Sequence, residues 1–512
     1  MPNSFAAQVL ECDLLVVGGG INGCGIARDA AGRGLSVILC ERDDLGAHTS
    51  SASTKLIHGG LRYLEQGEFS LVRKALQERE VLLGSAPHLI RPLRFVMPHD
   101  AHLRPAWLIR AGLFLYDNLA RRRRLASSAT IDLRQHPAGT PLAVGFRRGF
   151  IYSDAATDDT RLTVMNALDA HERGARILTR TTCERIERED AAWQAQLTGH
   201  ANATVRARAV VNATGPWVSA FIRDATQVRA HRDIRLVKGS HIVVPQIFRH
   251  RFAYIFQNPD RRIVFAIPWE RGFTLIGTTD VEHHGPPADV RISSAEVDYL
   301  CTTINRYFRQ QTRPADVAWS FAGIRPLLDD AHAAAAATVT RDYHLDLEGL
   351  DDAGRRAPLL SVFGGKITTY RKLSEQALDL LAPTLAPPRP AWTASAILPG
   401  GDLPQGSFAV FLRQTARRWP WLPLALRERL AHAYGTRIQR LLGAADSLAA
   451  LGEQVLPGLY AREIEYLCQV EWARTAADIL WRRSKLGLHV PADSEALLDA
   501  WLDAHPATRT PA

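Results

Sequence analysis

A chain of 512 residues with 46% hydrophobic residues has the composition of a globular protein and is long enough for two or three domains with large cores. Its formal charge of +9, from 62 basic and 53 acidic residues, suits anionic partners: a phosphorylated substrate, an anionic lipid surface or nucleic acid. No DNA- or RNA-binding motif accompanies that charge, which argues against nucleic acid. No stretch approaches the ~18 uncharged apolar residues of a spanning helix. The six cysteines form no CxxC and no His/Cys cluster with metal spacing. The expectation is a cytoplasmic protein without a leader, metal or disulfides, which can lie on a membrane but not cross it.

The chain opens with an apolar strand, Asp13-Leu-Leu-Val-Val17, then Gly18-Gly-Gly-Ile-Asn-Gly23, a predicted helix over about Ile21–Arg33, and a second strand closing on Glu41. Strand, glycine turn, helix, strand and acid together are the device that holds the pyrophosphate and ribose of a dinucleotide. Gly18 permits the tight turn, Gly20 lets the backbone approach the phosphates, and Gly23 lets helix and strand pack closely. The helix N-terminus supplies amides and dipole. Glu41, 23 residues after Gly18, is placed to accept ribose hydroxyls. At this point NAD and FAD fit equally.

A polar loop, Thr49-Ser-Ser-Ala-Ser-Thr-Lys55, follows. Residues 70–83 are predicted helical and 88–98 extended. Residues 106–120 form an apolar segment interrupted by Arg110 and followed by Arg121–Arg124. Trp107, Leu108, Ala111, Leu115 and Leu119 recur there at helical spacing, with Phe114 and Tyr116 nearby. Such a basic amphipathic helix can lie in a bilayer interface and favours anionic lipid. The pattern continues as a helix over 158–173, a strand over 175–188 and a strand over Val205–Asn212 that runs into Ala213-Thr-Gly215. Residues 235–280 are strand-rich, with a hairpin turning at Trp269–Gly272. Residues 294–311 read as helix, and 332–337 as an alanine-rich loop or helical turn. Residues 359–370 are a strand ending in glycines and opening a helix, a second turn of the first kind. Residues 382–392 read as a proline-rich linker. Beyond them lie helices at about 406–418, 424–443, 460–486 and 494–503.

Several blocks resemble the FAD-dependent glycerol-3-phosphate dehydrogenases: Gly18-Gly-Gly-Ile-Asn-Gly23; Thr49-Ser-Ser-Ala-Ser-Thr-Lys-Leu-Ile-His-Gly-Gly-Leu-Arg-Tyr-Leu-Glu65; Asn212-Ala-Thr-Gly-Pro-Trp217; Lys238-Gly-Ser-His-Ile-Val-Val244; Ile276-Gly-Thr-Thr-Asp280; Gly323-Ile-Arg-Pro326; Thr340-Arg-Asp-Tyr343; Ser361-Val-Phe-Gly-Gly-Lys-Ile-Thr-Thr-Tyr-Arg371; and Asp478-Ile-Leu-Trp-Arg-Arg-Ser-Lys-Leu-Gly-Leu488. The resemblance implies an α/β fold of the glycine-oxidase/D-amino-acid-oxidase type with three domains. An FAD-binding domain would be assembled from 10–85, 150–225 and 340–385. A substrate domain built on an antiparallel sheet would take 86–149 and 226–339, and a helical domain 395–512. It also implies oxidation of sn-glycerol 3-phosphate to dihydroxyacetone phosphate, with electrons passed to membrane quinone. The alternative is a soluble oxidase that uses oxygen and makes peroxide. A homodimer lying peripherally on the inner face of the cytoplasmic membrane is the implied assembly.

By the same resemblance Arg62, Tyr63, Arg325, Arg341 and Lys366 line the substrate pocket, and arginine forks with a lysine point charge suit a phosphate dianion. His58 is the favoured base and His241 its competitor, with Arg325 able to stabilise the developing oxyanion. The residues expected along FAD are Gly18, Gly20, Asn22, Gly23 and Glu41 of the first turn. Thr49, Ser50, Ser51, Ser53, Lys55, Leu56, His58 and Gly59 follow, then Thr214 and Gly215, and finally Gly364, Gly365, Lys366 and Thr368.

Overall fold

The computed structural model describes residues 8–100, 103–189, 191–228, 232–260, 262–328, 342–349 and 356–509. The alanine-rich 332–337 segment and Arg341 lie outside the described residues.

The first strand, Gln8–Val17, is apolar and buried on both faces over Leu14–Val17, while Val9 and Glu11 nearer its start are exposed. It pairs in parallel with Val37–Glu41 on one side and Ala203–Asn212 on the other, although the latter is nearly 200 residues away. Leu359–Phe363 and Arg176–Thr179 extend the parallel layer, and His344–Glu348 adds an antiparallel edge. The helices Ile21–Gly32, Asp159–Glu172 and Tyr370–Leu385 cover the sheet and share one apolar core with it. The strand expected over 175–188 breaks at Arg180, whose φ is +52°. There the chain leaves the parallel layer and turns into a hairpin, Thr181–Glu189 against Ala192–Gly199.

Among the described residues a second sheet is antiparallel at every pairing except one, where Ala253–Gln257 runs parallel to Ile90–Pro98. Its long strands are Ile90–Pro98, Arg148–Thr157, Ile234–Pro245, Ile263–Trp269 and Trp319–Leu328. The hairpin turns at 270–272, where Glu270 and Gly272 both have positive φ. Strand Leu56–Ile57 and most of Arg148–Thr157, which lie in segments assigned above to the cofactor domain, pair in this second sheet.

Helix Ala106–Asn118 packs its inner face through Ile109, Leu113 and Tyr116. Its outer face presents Trp107 and Phe114, 71% and 63% exposed, with Leu108 and Leu115 beside them. Leu119 and Tyr116, counted above with the interfacial set, turn inward instead: Leu119 packs on the core and the Tyr116 hydroxyl donates to Asp154 at 2.8 Å. Arg122 is drawn back onto Asp117 at 2.9 Å, which leaves Arg121, Arg123 and Arg124 as the exposed run.

Helix 294–307 ends four residues sooner than expected, at an extended Phe308 that bridges to Leu142. The helix Tyr370–Leu385 runs through Pro383 into the segment read as a linker. A proline in the last turn removes only one ladder bond, and Leu381 and Leu385 stay buried. The C-terminal helices Phe408–Arg418, Leu424–Tyr434, Ala461–Val470 and Ser494–Ala504 enclose their own apolar core. The helix expected over 424–443 is interrupted by Gly435, with φ +52°. That expected over 460–486 stops at Glu471 and resumes as a π-helical turn at Asp478–Arg483.

Candidate active site

A cleft of about 680 Å³ lies between the two sheets. Its floor is the first glycine turn. Gly18 has φ +108°, and a Cβ there would stand 2.6 Å from the Ala213 carbonyl oxygen; a Cβ on Gly23 would overlap the Gly18 carbonyl. The helix behind the turn has no side-chain cap of its own at Gly20. Ser50 supplies one from the serine-rich loop, accepting the Ile21 N–H at 2.9 Å. Asn22 donates to the Gly364 carbonyl at 3.2 Å and so ties the first glycine turn to the second.

Glu41 is buried and accepts the Gly19 N–H at 2.6 Å and the Asp43 N–H at 2.8 Å. Burial raises its pKa and these amides work against the rise. A carboxylate has about four acceptor positions, so both oxygens keep capacity for hydroxyls from the cleft. Beyond it, the Arg42 guanidinium stacks 4.0 Å over the Trp217 ring. His48 meets the same ring edge-on and bonds Asp43 at 2.7 Å, which holds the Asp43 carboxyl below its ordinary range. Thr181, Thr182, Cys183 and Glu184 complete this end.

Of the expected cofactor residues, Gly18, Gly20, Asn22, Glu41, Thr49, Ser50, Ser53, Leu56, His58, Thr214, Gly215, Gly364, Gly365 and Lys366 line the cleft. Gly23, Ser51, Lys55, Gly59 and Thr368 stand behind its wall. The Lys55 ammonium is buried against both oxygens of Asp159, at 2.7 and 2.9 Å, and burial lowers its pKa. The Ser51 hydroxyl donates to the His48 carbonyl. Gly59 donates its N–H to Tyr116, itself clamped with Arg79 on the buried Asp154. Thr368 accepts the His58 N–H at 3.2 Å.

At the other end the cleft gathers His58, Arg62, Tyr63, His241, Arg325 and Lys366 from four separated segments. The Lys366 ammonium sits 3.8 Å from the centre of the Tyr63 ring. Arg325 is fixed from three sides: it pairs with Asp280, donates to Thr278 Oγ1 at 2.8 Å and reaches the Thr279 carbonyl at 3.3 Å. Gly239 has to be glycine for that guanidinium to lie where it does, since a side chain would overlap it. His241 is fully buried and stacked on Phe321, with Nε2 3.0 Å from the Thr54 hydroxyl. Burial, with the Arg325 and Lys55 charges, holds its pKa well below the usual histidine range, so the ring is neutral at pH 7. Thr54, Thr278 and Asp280 were not among the expected site residues. The Ile276–Asp280 block marked the stretch, yet nothing in it said which side chain would meet Arg325.

An FAD-sized group fits this cleft on three counts. On its floor a side chain at Gly18, Gly19 or Gly23 would collide with the turn, whereas Gly20 and Gly215 leave the space of a side chain to the cleft. The Asn22 Oδ1 atom is buried with no hydrogen-bond partner among the described residues. The lining is continuous from Cys183 to Lys366. A parallel sheet carrying two glycine turns, faced by an antiparallel sheet across a long cleft, defines a flavin-dependent oxidoreductase of the glycine-oxidase/D-amino-acid-oxidase type.

A family model described as FAD dependent oxidoreductase matches residues 13–371, and one described as C-terminal domain of alpha-glycerophosphate oxidase matches 391–504. A glycerol-3-phosphate dehydrogenase of Pseudomonas aeruginosa is 54% identical over 508 residues, 99% of this chain and 97% of that protein. A D-erythritol 1-phosphate dehydrogenase of Brucella abortus is 47% identical, over 97% of this chain and 99% of its own. The crystal structure of the glycerol-3-phosphate dehydrogenase of Bacillus halodurans complexed with FAD is similar with a TM-score of 0.73 at 28% identity, covering 97% of this chain and 89% of that one. The chain belongs to the FAD-dependent oxidoreductases and, within them, to the glycerol-3-phosphate dehydrogenase family.

Proposed function

We propose that this enzyme oxidises sn-glycerol 3-phosphate to dihydroxyacetone phosphate and passes the electrons to a membrane quinone. The observation that carries the reading is the convergence of Arg62, Arg325 and Lys366 on the end of the cleft that also holds His58 and His241. Two guanidinium forks and an ammonium suit a phosphate dianion. FAD, when bound, takes up the hydride from C2. The chain's own residues have to orient the alcohol and accept its proton.

His58 is half-buried in the cleft, and its backbone N–H donates to Thr368. His241 is fully buried, with one face stacked on Phe321 and one nitrogen engaged by Thr54. This favours His58 as the base that accepts the C2 hydroxyl proton, with His241 as a neutral hydrogen-bonding wall. Arg325, locked by Asp280 and Thr278, stands ready to stabilise negative charge developing on the C2 oxygen. Arg341 belongs to the proposed phosphate set by resemblance.

The membrane side of the proposal rests on helix Ala106–Asn118. Trp107, Leu108, Phe114 and Leu115 form an exposed apolar face continuous with three exposed arginines. Among the described residues no helix is long and apolar enough to cross a bilayer.

The test is anaerobic bleaching of the enzyme's flavin by glycerol 3-phosphate, with D-erythritol 1-phosphate, glycerol and lactate run beside it. Bleaching by glycerol 3-phosphate and not by glycerol or lactate is expected. Faster bleaching by D-erythritol 1-phosphate, the compound named in the Brucella abortus relative, would move the substrate to that polyol phosphate. Reoxidation by a quinone analogue with little peroxide in air is expected, and fast peroxide production would establish an oxidase instead.

A further inference from the structure

Among the described residues, none beyond Ile367 lines the cleft, yet three of the segments that wall its nucleotide half are fastened to the C-terminal domain. The loop 42–48 carries Asp44, a buried carboxylate. Arg483 grips it with both terminal nitrogens at 2.7 and 2.8 Å, and Arg482 adds Nε at 2.6 Å. Arg483 is itself wholly buried and also donates to the Glu471 carbonyl at 2.6 Å. The segment Thr181–Glu184 begins at Arg180, whose N–H donates to the Asp43 carbonyl at 2.9 Å and whose guanidinium reaches Asp478 at 2.8 Å. The serine-rich loop hangs on Asp159, and the neighbouring Asp158 and Arg161 are held by Lys485 and Glu471.

Contacts between domains of one chain are commonly polar and yield to motion. These do not yield so readily, because Arg483, Asp44, Arg161 and Glu471 are removed from water and losing one partner strands the other. The loop they hold is the one whose Asp43 N–H and Gly46 N–H bond back to Glu41 and Gly19, at the rim of the first glycine turn.

We propose that the C-terminal domain is the cofactor clamp of this enzyme: Arg482 and Arg483, through Asp44, fix the loop that closes over the nucleotide half of FAD. They are positioning residues for a group they do not touch. The proposal rests on FAD binding alone and stands whichever polyol phosphate is the substrate.

Two measurements test it. Coupling between sites is reciprocal, so FAD has to steady the clamp as the clamp steadies FAD. Hydrogen exchange on the full chain, apo and holo, is expected to show slower exchange over 471–488 when FAD is added; identical exchange there would overturn the proposal. Release of FAD on dilution, followed by the rise in flavin fluorescence, is the second readout. Arg482→Gln is expected to release FAD about tenfold faster, as truncating one member of a buried charge cluster raises dissociation rates. Glu172→Gln is the control, because it breaks the Arg437 and Arg440 ion pairs between the same two domains without touching the loop. It is expected to retain FAD like the parent enzyme. Equal release from Glu172→Gln and Arg482→Gln, or parental release from Arg482→Gln, refutes the clamp. Arg483→Lys, which keeps the charge and loses the fork, is expected to fall between. Should it fail to fold, Arg482→Gln still decides, because Arg482 is partly solvent-exposed.

Discussion

Gly18→Ala is the sharpest perturbation of the cofactor turn. Two costs add. An alanine at φ +108° occupies a sparsely allowed region, for about 1–3 kcal/mol. Its Cβ would also stand 2.6 Å from the Ala213 carbonyl oxygen, a backbone atom of a residue whose N–H is tied to the Val17 carbonyl, which overpacks the site by about 1–3 kcal/mol more. The middle of the range is about 4 kcal/mol. At about 2–4 °C per kcal/mol for a domain of this size, the melting temperature of the apoprotein should fall by about 8–16 °C. Gly20→Ala provides the contrast. Its backbone is extended, and its Cβ would meet only the Ser50 hydroxyl, at 3.2 Å. That displacement costs at most the Ser50–Ile21 hydrogen bond, about 1 kcal/mol, or about 2–4 °C. Gly20 faces the cleft, however, so FAD affinity should drop. The assay is thermal unfolding of both apoproteins by circular dichroism, with FAD titration of each. Equal melting temperatures for the two variants would refute the steric argument.

Acid should weaken the fold through histidines buried in the neutral form. His88, with both ring nitrogens buried and unpartnered among the described residues, is pushed down to about 3, and His432 to about 4, chiefly by burial. The unfolded chain therefore takes up protons first, so stability is full above about pH 6.5 and is lost progressively as the pH falls toward these values. Urea midpoints from pH 7.5 to 4.5 should fall, and His88→Leu should flatten the slope; an unchanged slope would clear His88. Arg325→Lys loses the fork to Asp280 and Thr278 and should cost about 1.5–3 kcal/mol, or about 10–100-fold in kcat/KM, with flavin content unchanged. Less than a threefold loss would remove Arg325 from the proposed substrate site. Charge reversal of Arg121, Arg123 and Arg124, combined with Trp107→Ser, should abolish co-sedimentation with anionic vesicles while FAD is retained; undiminished binding would dismiss the interfacial helix.

The cofactor turns were legible because their signal is local. Glycines at fixed spacing between a strand and a helix admit few other uses, and the blocks around His58 and Lys366 were long enough to identify. What the sequence concealed are partnerships over long separations. Asp44 reads as an ordinary surface acid beside Asp43, and only the fold brings Arg482 and Arg483 to it. Lys55 stood among cofactor donors because it ends a polar loop, while Asp159, which claims it, lies 104 residues on. The helix breaks at Gly435 and after Val470 were missed because the apolar period continues across them.

The bond between Asn22 and the Gly364 carbonyl spans 342 residues. At a synthesis rate of about 5–20 residues per second, some 17–70 s separate the appearance of its two ends. The nascent first strand also lacks its central neighbour, Ala203–Asn212, for much of that interval. Until both arrive, the amino-terminal unit presents an unpaired apolar strand and half a cofactor site. A cell that makes this protein therefore has a period in which the first segment needs shielding from aggregation, and flavin can stabilise the chain only after the second glycine turn has been made.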